Sequence, residues 1–370
     1  MEPTPIRRSN EIEARGTRRA RRRFNLWRGD LSLPRMTRRR FVAITGSLIA
    51  IAGAAPAMRL ARASGGAPSR FGGLTPNSDF YLTSYGRTPS VAADAWRLRI
   101  KGLVANPLEL SYGQIRALPA ITETLTLECI GNPPDGSAIG NAEWVGPKLG
   151  ALLDRARVSA KATWCAMRAA DGYYTGLPAD ELLRKENFLP YLMNGVPLPP
   201  EHGFPLRIFI PGKYGMKQPK WITELEFLDH ETPGYWEIRG WSNSAWRKVN
   251  SGFFSPRAEG GLLSLFDRSV KVAAPVDIWG WALAGPSGVR RVEVSSDDGA
   301  TWHDADLVEN RSPYVWTVWR YRFAATQTGS HVIRVRAADG KGIVQPAADP
   351  QTGSGMSAQP RLALEVTSVV

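Results

Sequence analysis

The chain has 370 residues, with 47 Lys and Arg against 34 Asp and Glu, and only four His and two Cys. The net charge of +13 would suit a nucleic-acid binder, but residues 1–63 alone hold 15 Arg and four acids, so 32 basic and 30 acidic residues remain and the body is nearly neutral. Two cysteines allow one bridge at most and exclude a disulfide framework, and no C-x-x-C-H or cysteine cluster provides for haem or for iron and sulfur.

Thr37-Arg38-Arg39-Arg40-Phe41-Val42 fits a twin-arginine signal. A weakly apolar run from Val42 to Ala57 and an Ala-x-Ala pattern at Ala61-Arg62-Ala63 follow in the expected order. Residues 1–63 are thus expected to be a signal peptide, and the protein to be periplasmic, membrane-anchored only if the leader stays uncleaved. A basic tail for nucleic acid or anionic lipid is the other reading of Arg18 to Arg23. No later segment has the roughly 18–20 continuous apolar residues that span a bilayer.

The roughly 300 residues beyond the leader exceed one core, so two domains are expected. Residues 75–250 mix short strands and helices: Trp96 to Val104 alternates at period two, Ser111 to Leu118 predicts a helix stopped by Pro119, and Gly150 to Ala156 is helical. That pattern predicts an α+β domain. Asn250-Ser251-Gly252, Pro256 and Gly260-Gly261 punctuate a linker. Residues 262–370 carry strand signals at Val270–Val272, Val289–Val294, Tyr314–Phe323 and His331–Ala337, with Asp-Gly turns between, which predicts an all-β sandwich. Gln351 to Gln359, rich in Gly, Ser and Thr, predicts a flexible loop.

Cys129 closes the alternating run Leu125-Thr126-Leu127-Glu128-Cys129, just before Ile130-Gly131-Asn132. A thiolate is a strong ligand for a soft redox metal. Taken alone, a buried inert cysteine would explain the same residues. Three further stretches bear on it: Gly140-Asn141-Ala142-Glu143-Trp144-Val145-Gly146; Tyr191 to Leu198 leading into His202-Gly203-Phe204-Pro205-Leu206-Arg207 and Ile208 to Trp221 (IFIPGKYGMKQPKW); and Arg291 to Trp302 with Arg336 to Gly340. Together these resemble the sulfite oxidase family of molybdopterin enzymes from about Thr75 to the C-terminus, the last stretch resembling the family's immunoglobulin-like dimerisation domain.

The resemblance implies a molybdenum–molybdopterin cofactor, with the metal held by two dithiolene sulfurs of the pterin and by Cys129. It implies a phosphate held by Arg207 and Lys220, with His202, Gln218 and Pro219 beside the cofactor. Tyr81 and Leu82 fall at the family's first pterin-contacting segment, where aromatic residues could equally be core. Lys213 to Lys220 is compact enough to wrap an anion, although a solvated basic turn reads the same way. Cys165 is expected in a core strand. Glu128 is expected to point away from Cys129 by alternation. Trp241 stands at the family's active-site tyrosine.

The implied activity is oxygen-atom transfer on a small molecule, with electrons exchanged through an external carrier such as a c-type cytochrome or a membrane redox partner, and with homodimerisation through the C-terminal domain. Sulfoxide reduction in the periplasm and a metal-free exported binding protein are the alternatives. Sulfite is not the expected substrate. Pro133-Pro134 follow Asn132 where the family has arginines, Thr83 stands where another is expected, and Trp241 lacks a hydroxyl. Arg87, Arg239 or Arg247 could still refill the pocket.

Overall fold

A computed structural model describes residues 73–256, 270–309, 312–349 and 352–369. The twin-arginine leader and the start of the second domain at Leu262 lie outside the described residues. No helix among the described residues is long and apolar enough to cross a membrane.

The chain opens with β1 (Arg97–Gly102) and β2 (Leu108–Ser111), then α1 (Tyr112–Arg116), whose Ser111 and Gln114 form a capping box. The long hairpin of β3 (Ala120–Glu128) and β4 (Ile139–Pro147) follows, then α2 (Leu149–Ala156). Next come β5 (Trp164–Ala169), β6 (Tyr174–Pro178) and the single turn α3 (Ala179–Leu182). Short strands β7 (Leu192–Met193) and β8 (Val196–Pro197) precede β9 (Ile222–Leu228).

These strands form two sheets, β2-β1-β9-β5-β6 and β3-β4-β7-β8. Only the β1–β9 pair is parallel, Arg99 facing Glu224. Alternation along β1 buries Leu98 and Ile100. They meet Leu149, Leu152, Leu153 and Ala156 of α2, spaced so that one face of the helix is apolar, together with Cys165, Met167, Leu225 and Phe227. A second cluster of Phe80, Leu125, Leu127, Trp144, Phe188 and Phe209 lies under the β3–β4 hairpin.

The remaining strands are β10 (Asn250–Ser255), β11 (Val270–Ala274), β12 (Val276–Leu283), β13 (Val289–Ser295), β14 (His303–Asp304), β15 (Asp306–Glu309), β16 (Thr317–Phe323), β17 (Gly329–Asp339) and β18 (Arg361–Val369). They build a sandwich from sheets β10-β12-β16-β15 and β11-β18-β17-β13-β14 around Phe253, Ile278, Val292, Trp319, Ile333 and Leu364. The α+β domain followed by an all-β sandwich is thus observed, with few and short helices.

Two expectations are corrected. Asn250-Ser251-Gly252, expected as a linker, opens β10 and pairs with β12, Gly252 facing Trp281. A Cβ on Gly252 would meet the Trp281 indole nitrogen at 2.6 Å, so the glycine serves close packing and not a turn. The part of Gln351–Gln359 that is described packs against the first domain. Gly353 O accepts from Ser242 N at 2.7 Å, Gly355 lies on the Tyr214 ring, and Ser357 Oγ donates to Val249 O at 2.5 Å. Its glycines and serines fit that close backbone approach, a composition that equally describes a loose loop.

Cys165 has no exposed surface, and burial pushes its thiol far up. Cys165→Ser is expected to lower unfolding free energy in urea by about 1–3 kcal/mol while leaving molybdenum content per folded protein unchanged.

Candidate active site

The nine-residue register of β3 on β4 ends with Glu128 opposite Ile139, and Cys129 follows at once. Cys129 N donates to Ala138 O at 2.9 Å, and Asn132 N turns back onto Cys129 O at 3.0 Å. Side chains alternate, so Leu125, Leu127 and Cys129 share one face while Thr126 and Glu128 take the other, towards the sandwich. There Thr126 Oγ1 accepts from Trp316 N at 2.8 Å, and Glu128 Oε1 accepts from Asn132 at 3.2 Å and from Asn250 at 2.7 Å. Glu128 therefore faces away from the thiol, and burial raises its carboxyl.

The Cys129 thiol is partly exposed. Burial raises its pKa most, while the Gly131 N–H and the Thr83 hydroxyl pull it back down. Thr83 Oγ1 lies 4.0 Å from Sγ. Gly131 leaves room beside the sulfur: a Cβ there would be 4.0 Å from Sγ and 3.6 Å from the Trp241 ring. Trp241 thus closes over the Cys129 loop, packed edge-on to Trp236 at 6.2 Å. Tyr81 stacks on Phe80 at 5.5 Å, and its hydroxyl lies 3.2 Å from where a Gly215 Cβ would be. Burial raises the Tyr81 pKa first, the Cys129 charge next, and Arg207 opposes. Leu82 is half-buried beside it.

A second group of side chains carries positive charge. Arg207 is buried over the rings of Trp144 and Phe209, at 5.1 and 4.9 Å, and its Nη1 donates to His202 O at 3.1 Å. Burial lowers its pKa to about 10. Lys220 Nζ donates to Glu201 O at 2.9 Å and to Ser84 Oγ at 3.2 Å. Burial first, then the Arg207 charge, lower Lys220 to about 7. Gly203, at φ 116°, lets the two side chains close in: a Cβ would sit 3.1 Å from Lys220 Cβ and 3.3 Å from Arg207 Cβ. His202 Nε2 faces Asn77 O at 3.0 Å, so that nitrogen carries the proton, and burial drops the ring to about 4.

Lys213 and Lys217 do not wrap an anion; their side chains have no exposed surface. Lys213 is paired with Glu181 at 2.5 Å and lies 3.8 Å over the Trp246 ring. Lys217 pairs with Glu237, which also accepts from Thr175 at 2.6 Å, and so fastens the segment that carries Trp236 and Trp241. The partners Glu181 and Glu237 are remote in sequence, so a basic turn was all the local pattern could show. Gln218 is likewise committed: Nε2 donates to Lys213 O at 2.7 Å and Oε1 accepts from Ile210 N at 3.1 Å. Pro219 O accepts from Ile208 N at 3.2 Å. Both shape the loop that presents Lys220, and the Gln218 amide keeps one N–H beyond these two bonds.

Tyr85, Tyr173, Tyr235 and Trp236 join the site without having been singled out, beside Thr83, which the sequence marked only as standing in place of an arginine. They come from three separate segments, of which those around Tyr81 and Trp241 carried a signal. Of the arginines that could refill the pocket, Arg87 is exposed, Arg239 lies 3.6 Å over the Tyr235 ring, and Arg247 is buried with Nη1 on Thr126 O at 2.7 Å.

The donor set fits a molybdenum–pterin group with a terminal phosphate. Arg207 Nε is buried with no hydrogen-bond partner, and the Arg207 charge adds to burial in depressing Lys220, a crowding of positive charge that an anion would relieve. Among the described residues no three His, Cys, Asp or Glu converge to hold a metal, so a metal at Cys129 must bring its other ligands with it.

Residues 85–236 match the oxidoreductase molybdopterin binding domain, and residues 265–361 the Mo-co oxidoreductase dimerisation domain. The first match includes Cys129, His202, Arg207 and Lys220; Tyr81 and Trp241 lie outside it. The chain is 34% identical over 146 residues to the uncharacterised oxidoreductase YuiH of Bacillus subtilis, covering 40% of this chain and 72% of that protein. It is 26% identical over 326 residues to the sulfite oxidase of Arabidopsis thaliana, covering 74% and 82%. The crystal structure of the sulfane dehydrogenase SoxCD from Paracoccus pantotrophus shares the fold, with a TM-score of 0.69 at 22% identity over 80% of this chain and 84% of that one. The chain belongs to the sulfite oxidase family of molybdopterin-dependent oxidoreductases.

Two outcomes follow from these charges. Lys220 is protonated below about 7, whereas a phosphate monoester is already dianionic there, with a second pKa of about 6. Affinity of the cofactor-free protein for phenyl phosphate, measured by calorimetry, is expected to fall from pH 7 to pH 9 by at most about tenfold per pH unit. Lys220→Met should bind more weakly and lose that slope. Glu237→Ala would strand the buried Lys217 ammonium and is expected to cost about 3–5 kcal/mol in urea unfolding.

Proposed function

We propose that the protein is exported by the twin-arginine route and transfers an oxygen atom to or from a neutral organic, sulfur-containing small molecule. Electrons pass to or from an external carrier, such as a c-type cytochrome or a membrane redox partner, and two copies associate through the sandwich domain. The observation that carries the substrate class is the surround of Cys129. Thr83 lies 4.0 Å from Sγ where a cation would serve an oxyanion, and the Trp241 ring covers the loop. Arg239 and Arg247 are both engaged elsewhere.

The bound molybdenum–pterin group would supply a two-electron centre competent to give or take oxygen. Cys129 would hold the metal from the protein side, its sulfur set by the Gly131 N–H and the Thr83 hydroxyl. Arg207 and Lys220 would hold the phosphate as charge-assisted donors. Neutral His202, fixed by Asn77 O, offers a hydrogen bond without adding charge. Trp241 presents an apolar wall that excludes water and favours a neutral ligand. Reduction of a sulfoxide and oxidation of a thioether would use the same residues, and assays with reducing and oxidising dyes separate the two directions.

Cys129→Ser is expected to lose turnover on every substrate while keeping much of the pterin, because Arg207 and Lys220 remain. Wild-type activity in that variant would refute the assignment. Sulfite-dependent reduction of ferricyanide is expected to stay below about 10⁴ M⁻¹s⁻¹ in kcat/KM. Replacing Arg38 and Arg39 by Lys should leave the protein in the cytoplasm with residues 1–63 attached, as read by fractionation and mass.

A further inference from the structure

Five rings from three stretches of chain follow one another around the Cys129 loop. Trp241 and Trp236 are 6.2 Å apart, Trp236 and Tyr235 5.0 Å, Tyr235 and Tyr85 4.5 Å, and Tyr85 and Tyr173 6.1 Å. One end of the series returns to the thiol: Trp241 reaches it across Gly131. Thr83, two residues before Tyr85, touches Sγ.

The inner rings are held from below. Trp236 and Trp241 pack on Ile130 and Met216, and Tyr173 donates to Met216 O at 2.7 Å. The outer ones are less covered: Tyr85 is 37% exposed and Tyr235 is half-buried. Rings serving only as core would be as closed as Tyr173, at 8%. Contiguous exposed aromatic surface beside a reactive centre marks a binding face, because the ring pays little conformational entropy to hold an apolar ligand. Two charged groups beside Tyr235 and Trp236 are already engaged. Arg239 stacks on Tyr235 and donates to its carbonyl at 2.7 Å, and Glu237 holds Lys217.

We propose that Tyr85 and Tyr235 determine specificity by holding the aryl or bulky alkyl body of an organic sulfoxide or thioether whose sulfur lies at Cys129. This rests on the oxygen-transfer function above and adds which organic substrates are taken. Tyr85 stands edge-on to Tyr235 at an interplanar angle of 76°; Arg239 covers one face of Tyr235, and Tyr85, 37% exposed, offers surface for a planar substituent. In the reducing direction a sulfoxide takes up two electrons and two protons, its S–O bond breaks, and thioether and water leave; a reduced viologen dye supplies the electrons. In the oxidising direction water supplies the oxygen, and two electrons and two protons leave to an oxidised dye.

The test uses the molybdenum-loaded enzyme with methyl phenyl sulfoxide and dimethyl sulfoxide, and the corresponding thioethers with an oxidising dye. Wild type should favour the aryl compound in kcat/KM. Tyr85→Ala should shrink that preference by about threefold to tenfold, mainly through KM, and Tyr85→Phe should restore it. Binding of methyl phenyl sulfone, which gives no turnover under these conditions, is read separately by calorimetry and should weaken by a similar factor in Tyr85→Ala. Equal treatment of aryl and methyl substrates by wild type, or equal loss on both in Tyr85→Ala, would overturn the proposal. Sulfone binding that depends on Tyr85 without turnover of any of the four compounds would uphold the ring face and defeat the oxygen-transfer function instead.

Discussion

Glu128 is the residue on which the geometry of the site turns, although it faces away from the chemistry. Its carboxylate is buried, and Oε1 is shared between Asn132 in the Cys129 loop and Asn250 at the start of β10. Asn132 in turn accepts from Ala138 N at 2.9 Å, which closes the loop between β3 and β4. Asn250 Oδ1 accepts from Gln345 Nε2 at 3.3 Å, and Gln345 Oε1 accepts from Ser251 Oγ at 2.7 Å. One chain of hydrogen bonds thus runs from the residue beside Cys129 into the sandwich. A buried donor left unmatched costs about 1–3 kcal/mol, so these groups hold one another in a single arrangement. The sandwich is therefore part of what positions Cys129.

The electrostatics divide the site into two regions. At Arg207 and Lys220 positive charge is crowded together and partly desolvated, a state that an anion relieves. Around Cys129 the neighbours are a hydroxyl, an indole and tyrosine rings, with the nearby cations turned to other partners. Under the proposed function, charge would hold the pterin end and the reacting end would be left to shape and apolar contact, which offers little to a compact dianion.

The strand that delivers Cys129 was legible because alternation survives in Leu125, Leu127 and Cys129 themselves, and the family because its segments are contiguous. What depends on distant pairing was not legible. Lys213 and Lys217 read as a basic turn, since Glu181 and Glu237 that neutralise them stand far off in the chain. Asn250-Ser251-Gly252 has turn composition, and only the Trp281 indole across the sheet explains the glycine. The series of rings could not be read at all, because Tyr85, Tyr173 and Tyr235 become neighbours only after folding.

The order of strands in the first sheet bears on how the chain comes to be folded. β1 lies between β2 and β9, and its partner on one side is available almost at once while the other, at Glu224 to Phe227, follows more than a hundred residues later. As the chain emerges from the ribosome, the β1–β2 hairpin must wait with one edge unpaired while β3 to β8 are made. The sandwich repeats the situation, with β11 joined in parallel to the last strand, β18. Neither domain can close until its own last strand has been synthesised, so each folds as a unit, the first before the second, and each leaves chaperones a long interval in which to act.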